Sequence, residues 1–88
     1  MSVYYLYILE CADKTLYTGI TVDLVRRLDE HNNSNLGAKY TKARRPVKTV
    51  YSKKFRNRSL ASKMESQIKK MSRVEKLKLI EKKNHAAI

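Results

Sequence analysis

Two tyrosine-rich apolar runs, VYYLYIL (Val3 to Leu9) and TLYTGI (Thr15 to Ile20), flank the short polar break ECADK. Runs this rich in β-branched and aromatic residues are strand formers. The break has room for a turn over Ala12 to Lys14 and little else, so the chain has to open with an antiparallel hairpin. A turn centred near Ala12 sets Tyr7 opposite Tyr17 or nearly so, and directly opposed residues share one face of a sheet. Two phenols are then expected side by side on one surface.

The chain next turns helical. Thr21 is the expected N-cap, with Asp23 well placed for the helix dipole, and the helix runs to about Asn32. At 100° per residue Leu24, Val25 and Leu28 form the apolar stripe; His31 falls at its edge and Arg27 about 40° further round. Asp23 is the i,i+4 partner available to Arg27. Asn33 to Pro46 reads as a loop by its Asn, Ser, Gly and Pro content, and loops of that length in a compact fold are often functional. Val47 to Phe55 alternates as a third strand. Asn57 or Ser59 caps a second helix to about Met71, buried through Leu60, Ala61, Met64, Ile68 and Met71. Glu65 lies about 40° off that stripe, within reach of Lys69. Ser72 and Glu75 make a capping box for a third helix to about Lys83, with Val74, Leu77 and Ile80 facing inward. Residues 84–88, His85 among them, read as a frayed tail and 1–83 as one domain. The order β-β-α-β-α-α predicts an α+β fold, a small three-stranded antiparallel sheet with flanking helices.

Composition narrows the function. A chain of 88 residues buries only about 60–65% of its unfolded surface, so the core is modest. Cys11 is the one cysteine; it has no disulfide partner within the chain, cannot build a thiolate metal cage, and reads as a small buried thiol. No apolar run approaches the ~20 residues of a membrane span, and no signal-type segment opens the chain, so a cytoplasmic protein is expected. Twenty Lys and Arg oppose eight Asp and Glu, and Lys39 to Arg58 holds nine basic residues and no acidic one. Like charge packed so densely repels itself, and a polyanion relieves it. Nucleic acid fits better than an anionic membrane, because no basic amphipathic helix carries an aromatic face. Lys39, Lys42, Arg44 and Arg45 suit phosphate contacts, and Tyr40 suits stacking on a base. Four neutralised phosphates give a slope of log K on log salt of about −3.6 on duplex.

The motifs add a family. Tyr5-Leu6-Tyr7, Tyr17-Thr18-Gly19, Arg27, His31 and Glu65 follow one another with ten residues from Tyr7 to Tyr17 and ten from there to Arg27. This pattern resembles the GIY-YIG nuclease superfamily, and GAKYTKARRP with the short length resembles its small stand-alone bacterial members of the YhbQ/YazA type. The first tripeptide has tyrosine in place of glycine. The asparagine that several family nucleases carry beyond the glutamate has no counterpart assigned here; Asn84 lies too late in the chain. The resemblance implies an endonuclease that hydrolyses phosphodiester bonds, with DNA favoured over RNA, and selectivity for strand or structure in repair or recombination. It makes Glu65 the ligand of one Mg²⁺ or Mn²⁺ and Arg27 the donor to the phosphate oxygens. It suggests Tyr17 as the base, with Tyr7 supporting it or orienting the water and His31 accepting or relaying the proton; which residue takes the first proton is left open. Gly19, lacking a Cβ, would let the chain leave the strand sharply and keep the phenol surface open. The competing reading is a nucleic-acid-binding module that keeps the fold and the basic loop and cleaves slowly or not at all. Oligomeric state is left open.

Overall fold

A computed structural model describes residues 3–86, with side chains to Lys83. Its elements are β1 (Tyr4–Glu10), β2 (Leu16–Thr21), α1 (Leu24–Asn33), α2 (Lys39–Lys42), β3 (Lys48–Phe55), α3 (Arg58–Lys69) and α4 (Arg73–Ala86). The fold is α+β: a three-stranded antiparallel sheet in the order β2-β1-β3, with helices on both faces. The expected order holds, with α2 added inside the segment expected to be all loop. Backbone N–H groups of Thr41 and Lys42 both reach the Ala38 carbonyl, which closes that single turn.

The hairpin register differs from expectation. Tyr7 pairs with Gly19, and Tyr17 pairs with Leu9. The turn centres on Asp13, because Lys14 adopts a left-handed φ of 71° and the Asp13 carboxylate accepts from both the backbone N–H and the hydroxyl of Thr15. A three-residue loop ending in a left-handed residue moves the turn centre by one residue, and so each pairing by two, relative to a turn centred on Ala12. The phenols still share a face, but on diagonal rows.

Each face of β1 supports its own packing. Leu6 and Ile8 point to one side and join Tyr51 and Ile68 under α3 and α4. Tyr7, Leu9 and Cys11 point to the other and join Val47, with Tyr17, Leu24 and Leu28 of the α1 side against them. Cys11 is buried, as expected for a structural thiol.

Two helices sit rotated from their expected stripes. Asp23, not Thr21, caps α1 by accepting from the Arg26 N–H. Val25 is 82% exposed, while His31 is fully buried. Leu24, Leu28 and His31 form an i, i+4, i+7 stripe, so the helix rolls toward Arg27 and away from Val25. On α4 the capping box forms as expected, Ser72 N–H to Glu75 and Glu75 N–H to the Ser72 hydroxyl. Val74 and Leu77, however, are exposed, and Leu79 and Ile80 pack on the core. Lys83 follows one turn on: its ammonium donates to the Ser52 carbonyl and lies over the Tyr51 ring. Helix α4 continues past Lys83 to Ala86, and residues 87–88 lie outside the described residues. Asn57 caps α3, where Ala61 and Ile68 are buried, Met64 is half-buried and Leu60 is exposed.

Candidate active site

The α1-facing side of the sheet carries a polar group of side chains in place of an apolar seam. Tyr7 is nearly buried, and its phenol lies across Gly19 on the neighbouring strand. A Cβ at Gly19 would stand 2.5 Å from the phenol oxygen and 2.7 Å from its ring carbon. Gly19 therefore sits within β2 and opens space that the Tyr7 side chain fills; the chain leaves the strand two residues later. That corrects the expectation of a glycine bend at a strand end.

The Tyr7 oxygen is 2.9 Å from His31 Nε2, and His31 Nδ1 is 2.8 Å from the Thr41 hydroxyl. Thr41 in turn donates to the Ala38 carbonyl at 2.9 Å. The tautomer with Nδ1–H donating to Thr41 and bare Nε2 accepting the phenol proton satisfies these three contacts, whereas the longer approach of the Ala38 N–H to Nδ1, at 3.4 Å, suits the other tautomer. Burial, reinforced by the nearby Arg27 charge, depresses the His31 pKa to about 4, so the imidazole is neutral at pH 7. Tyr7 is pushed the other way: burial raises its pKa, and the adjacent Arg27 guanidinium opposes that rise.

Arg27 emerges half-buried beside this pair. Its Nη1 donates to Glu30 at 2.7 Å and to the Leu36 carbonyl at 2.8 Å. Its partner is thus Glu30 and not Asp23, whose carboxylate is the helix cap. Both contacts use Nη1, so neither occupies Nε or Nη2. The Glu65 carboxylate of α3 is near enough for its charge to disfavour the Tyr7 phenolate, and it pairs with Lys69 at 3.4 Å. Tyr17 meets the His31 ring edge-on, with centroids 5.4 Å apart. Tyr7, Tyr17 and His31 thus meet on one side of the sheet, and the charges of Arg27 and Glu65 both act on the Tyr7 phenol.

The basic loop divides. Lys39 and Lys42 are exposed and take no part in an ion pair among the described residues. Arg44 lies 3.9 Å over the Tyr40 ring and pairs with Asp13 at 3.1 Å. Arg45 is a correction: its guanidinium donates to the carbonyls of His31 at 2.6 Å and Ser34 at 2.5 Å, closing the end of α1 as a structural cap. Orphan carbonyls at a helix C-terminus attract such a cation. Tyr40 stacks on Tyr17, with centroids 5.9 Å apart, and keeps 37% of its surface exposed.

The fold and the spacing of these groups match known proteins. A family model described as the GIY-YIG catalytic domain matches residues 3–78. The chain belongs to the GIY-YIG family. A UPF0213 protein of Syntrophus aciditrophicus is 61% identical over 80 residues, covering 91% of this chain and 92% of that protein. Another, from Staphylococcus saprophyticus, is 51% identical over 91% of this chain and 96% of its own length. The solution NMR structure of the E. faecalis protein EF2693 superposes with a TM-score of 0.65 at 41% identity, over 96% of this chain and 88% of that one. That of the UPF0213 protein BH0048 from Bacillus halodurans gives 0.59 at 40% identity, over 90% of this chain and 83% of that one. GIY-YIG is a nuclease superfamily; the names of these relatives state no activity.

Three members of this GIY-YIG centre escape a sequence reading. Thr41 fixes the His31 ring, Glu30 holds Arg27, and Asn32 ties the end of α1 to the residue before β3 through paired bonds with the Val47 backbone of 2.7 and 2.9 Å. A hydroxyl residue inside the basic run was the available signal for Thr41. Glu30 and Asn32 are ordinary helix-surface residues until the fold places them.

The fit of a divalent cation rests on Glu65. Its carboxylate is half-buried, pairs with Lys69, and acts by its charge on the Tyr7 phenol. No group of three His, Cys, Asp or Glu converges among the described residues. One hard carboxylate, completed by waters and substrate phosphate oxygens, suits a small cation that keeps much of its hydration shell.

Proposed function

We propose that this chain is a divalent-metal-dependent endonuclease that hydrolyses phosphodiester bonds in DNA with selectivity for strand or structure. A place in cytoplasmic DNA repair or recombination suits that activity. The observation that supports the reading is the contact of Tyr7 and Tyr17 with His31, with the Tyr7 phenol packed over Gly19 and under the charges of Arg27 and Glu65. A Mg²⁺ or Mn²⁺ ion on Glu65 would supply Lewis-acid polarisation of the scissile phosphate.

The chain's own groups handle the proton and the charge. In this reading the Tyr7 hydroxyl directs its proton at His31 Nε2 and its remaining lone pair receives the proton of the water. As an attacking water forms its bond to phosphorus, it gives a proton to the Tyr7 oxygen, and the phenol proton passes to His31. Thr41 holds the imidazole ring so that Nε2 stays on the phenol. This makes Tyr7 with His31 the proton-accepting pair and Tyr17 the residue that orients the water, a reversal of the sequence-based roles. Arg27 Nε and Nη2 face the non-bridging oxygens, where charge grows at five-coordinate phosphorus. The bond to the 3′ oxygen breaks, and that oxygen is protonated from solvent. Lys39 and Lys42 contribute electrostatic attraction to the backbone.

A binding module that does not cleave is the second reading, favoured by the lone carboxylate. The test is incubation with single-stranded, duplex, nicked and flapped DNA and with RNA, in Mg²⁺, in Mn²⁺ and in chelator. Products should need metal and should fall about 100- to 1,000-fold in Arg27→Ala, with a comparable loss in Glu65→Ala. Binding without cleavage in either metal leaves the module reading standing. Cleavage at undiminished rate in both variants would overturn the assignment of these residues.

A further inference from the structure

The far side of α3 presents a stripe of hydroxyls and cations away from the sheet. Arg58, Ser59, Ser62, Lys63, Ser66 and Lys70 line an open, shallow hollow of about 830 Å³. Ser59, Ser62, Ser66 and Lys70 follow a helical i, i+3, i+7, i+11 spacing, so the stripe is about 16 Å long. No acidic residue lines it, and Arg58, Lys63 and Lys70 enter no ion pair among the described residues. The carboxylates of Glu10, Asp13, Glu30 and Glu65, by contrast, are each paired with a cation elsewhere. Short hydroxyl donors between unpaired cations match the oxygens of a sugar-phosphate backbone.

The lining also lacks any aromatic ring. Unpaired bases are held chiefly by stacking, so this surface offers them nothing; a paired duplex shows only its backbone and loses nothing by that lack. The other side of the sheet has the opposite chemistry. There Tyr17 and Tyr40 stack beside the candidate centre, with Arg44 over the Tyr40 ring. We propose that the outer face of α3 binds the phosphate backbone of a duplex DNA arm while the Tyr17–Tyr40 shelf receives unpaired bases. The substrate is then a junction between double- and single-stranded DNA, such as a flap. This rests on the nuclease reading above and narrows its substrate. The described residues extend 33 Å at most, so the two surfaces engage features within about one turn of duplex, ~34 Å.

The test measures fluorescence anisotropy of the full chain on a flap, on a plain duplex and on a single strand, across salt concentrations. The variant Arg58→Gln/Lys63→Gln/Lys70→Gln removes the α3 cations at exposed positions, and Arg73→Gln/Lys76→Gln/Lys78→Gln removes as many from α4. Circular dichroism verifies that both remain folded. The α3 variant should reduce the salt slope on flap and duplex by about 2–3 and leave the single-strand slope within ~0.5. The α4 variant should change neither by more than ~1. Equal losses in both variants, or an equal loss on single strand and duplex, would show that net charge alone is at work and overturn the inference. An α3-dependent association with anionic vesicles and none with DNA would overturn it in favour of a membrane. Should the unmutated chain bind no DNA, the nuclease reading falls first. If it binds, and the α3 variant binds identically, only the duplex arm falls.

Discussion

The two faces of the sheet are built on different terms. Under α3 and α4, Leu6, Ile8 and Ile68 have no exposed surface and meet one another through hydrocarbon alone. Under α1 and α2, His31 and Thr41 are just as deeply buried, yet they are joined to Tyr7 by a chain of hydrogen bonds. Hydrocarbon burial is non-directional and tolerates small shifts, whereas a buried polar chain is favourable only while every link is made. The first face supplies most of the stability. The second holds a fixed arrangement of proton donors and acceptors beside Arg27, at the cost of desolvating them.

The largest expected effect separates these roles. Ile68→Ala opens a cavity on the hydrocarbon face and should cost about 2–5 kcal/mol. Urea denaturation monitored by far-UV circular dichroism reads that loss as a lower midpoint. The His31 environment belongs to the other face and should keep its ring resonances in an NMR spectrum of the folded variant. A cost below about 1 kcal/mol would mean that the hydrocarbon face does not carry the fold.

Acid should attack the polar face first. His31 has a folded pKa of about 4 against an ordinary 6.5, so between those values the unfolded chain binds more protons than the folded one. Stability contributed by the neutral imidazole is therefore complete above pH ~6.5 and is lost as pH falls toward ~4, by on the order of 3 kcal/mol. Denaturation midpoints at pH 7, 5.5 and 4.5 measure this, and His31→Gln should flatten the dependence in that window. An unchanged slope in the variant would place the acid sensitivity elsewhere.

The same contrast explains what the sequence discloses. Strands, helix order and the capping box follow from local chemistry, and all appear where periodicity and turn residues put them. The hairpin register does not, because it hangs on Lys14 adopting a left-handed φ in a break that also admits other turns. Val25 looked buried because a hydropathy stripe counts only hydrocarbon; α1 instead buries His31, whose polar atoms are all satisfied by residues distant in sequence. Arg45 misleads for a related reason. A basic loop suggests phosphate, and only the folded chain reveals that this guanidinium caps α1 while Lys39 and Lys42 stay free for it. The motif residues were legible as a set; the links between them, through Thr41 and Glu30, were not.

The smallest effect is the sharpest probe of the polar chain. Thr41→Val keeps the shape of the side chain and deletes the hydroxyl that accepts from His31 Nδ1–H. A buried N–H left without an acceptor costs about 1–3 kcal/mol, but the imidazole has an escape. The Ala38 backbone N–H lies 3.4 Å from Nδ1, so moving the ring proton to Nε2 would let Nδ1 accept from Ala38 and Nε2 donate to the Tyr7 oxygen. The loss in stability should then stay near 1 kcal/mol. The loss in cleavage should exceed it, because Nε2 no longer accepts the phenol proton. Imidazole ¹⁵N chemical shifts distinguish the two tautomers directly, and Thr41→Ser, which restores the hydroxyl, should restore both the tautomer and the rate. If Thr41→Val keeps the original tautomer and full cleavage, the proton path through Tyr7 and His31 does not depend on this hydroxyl, and the polar face is organised by packing as the other face is.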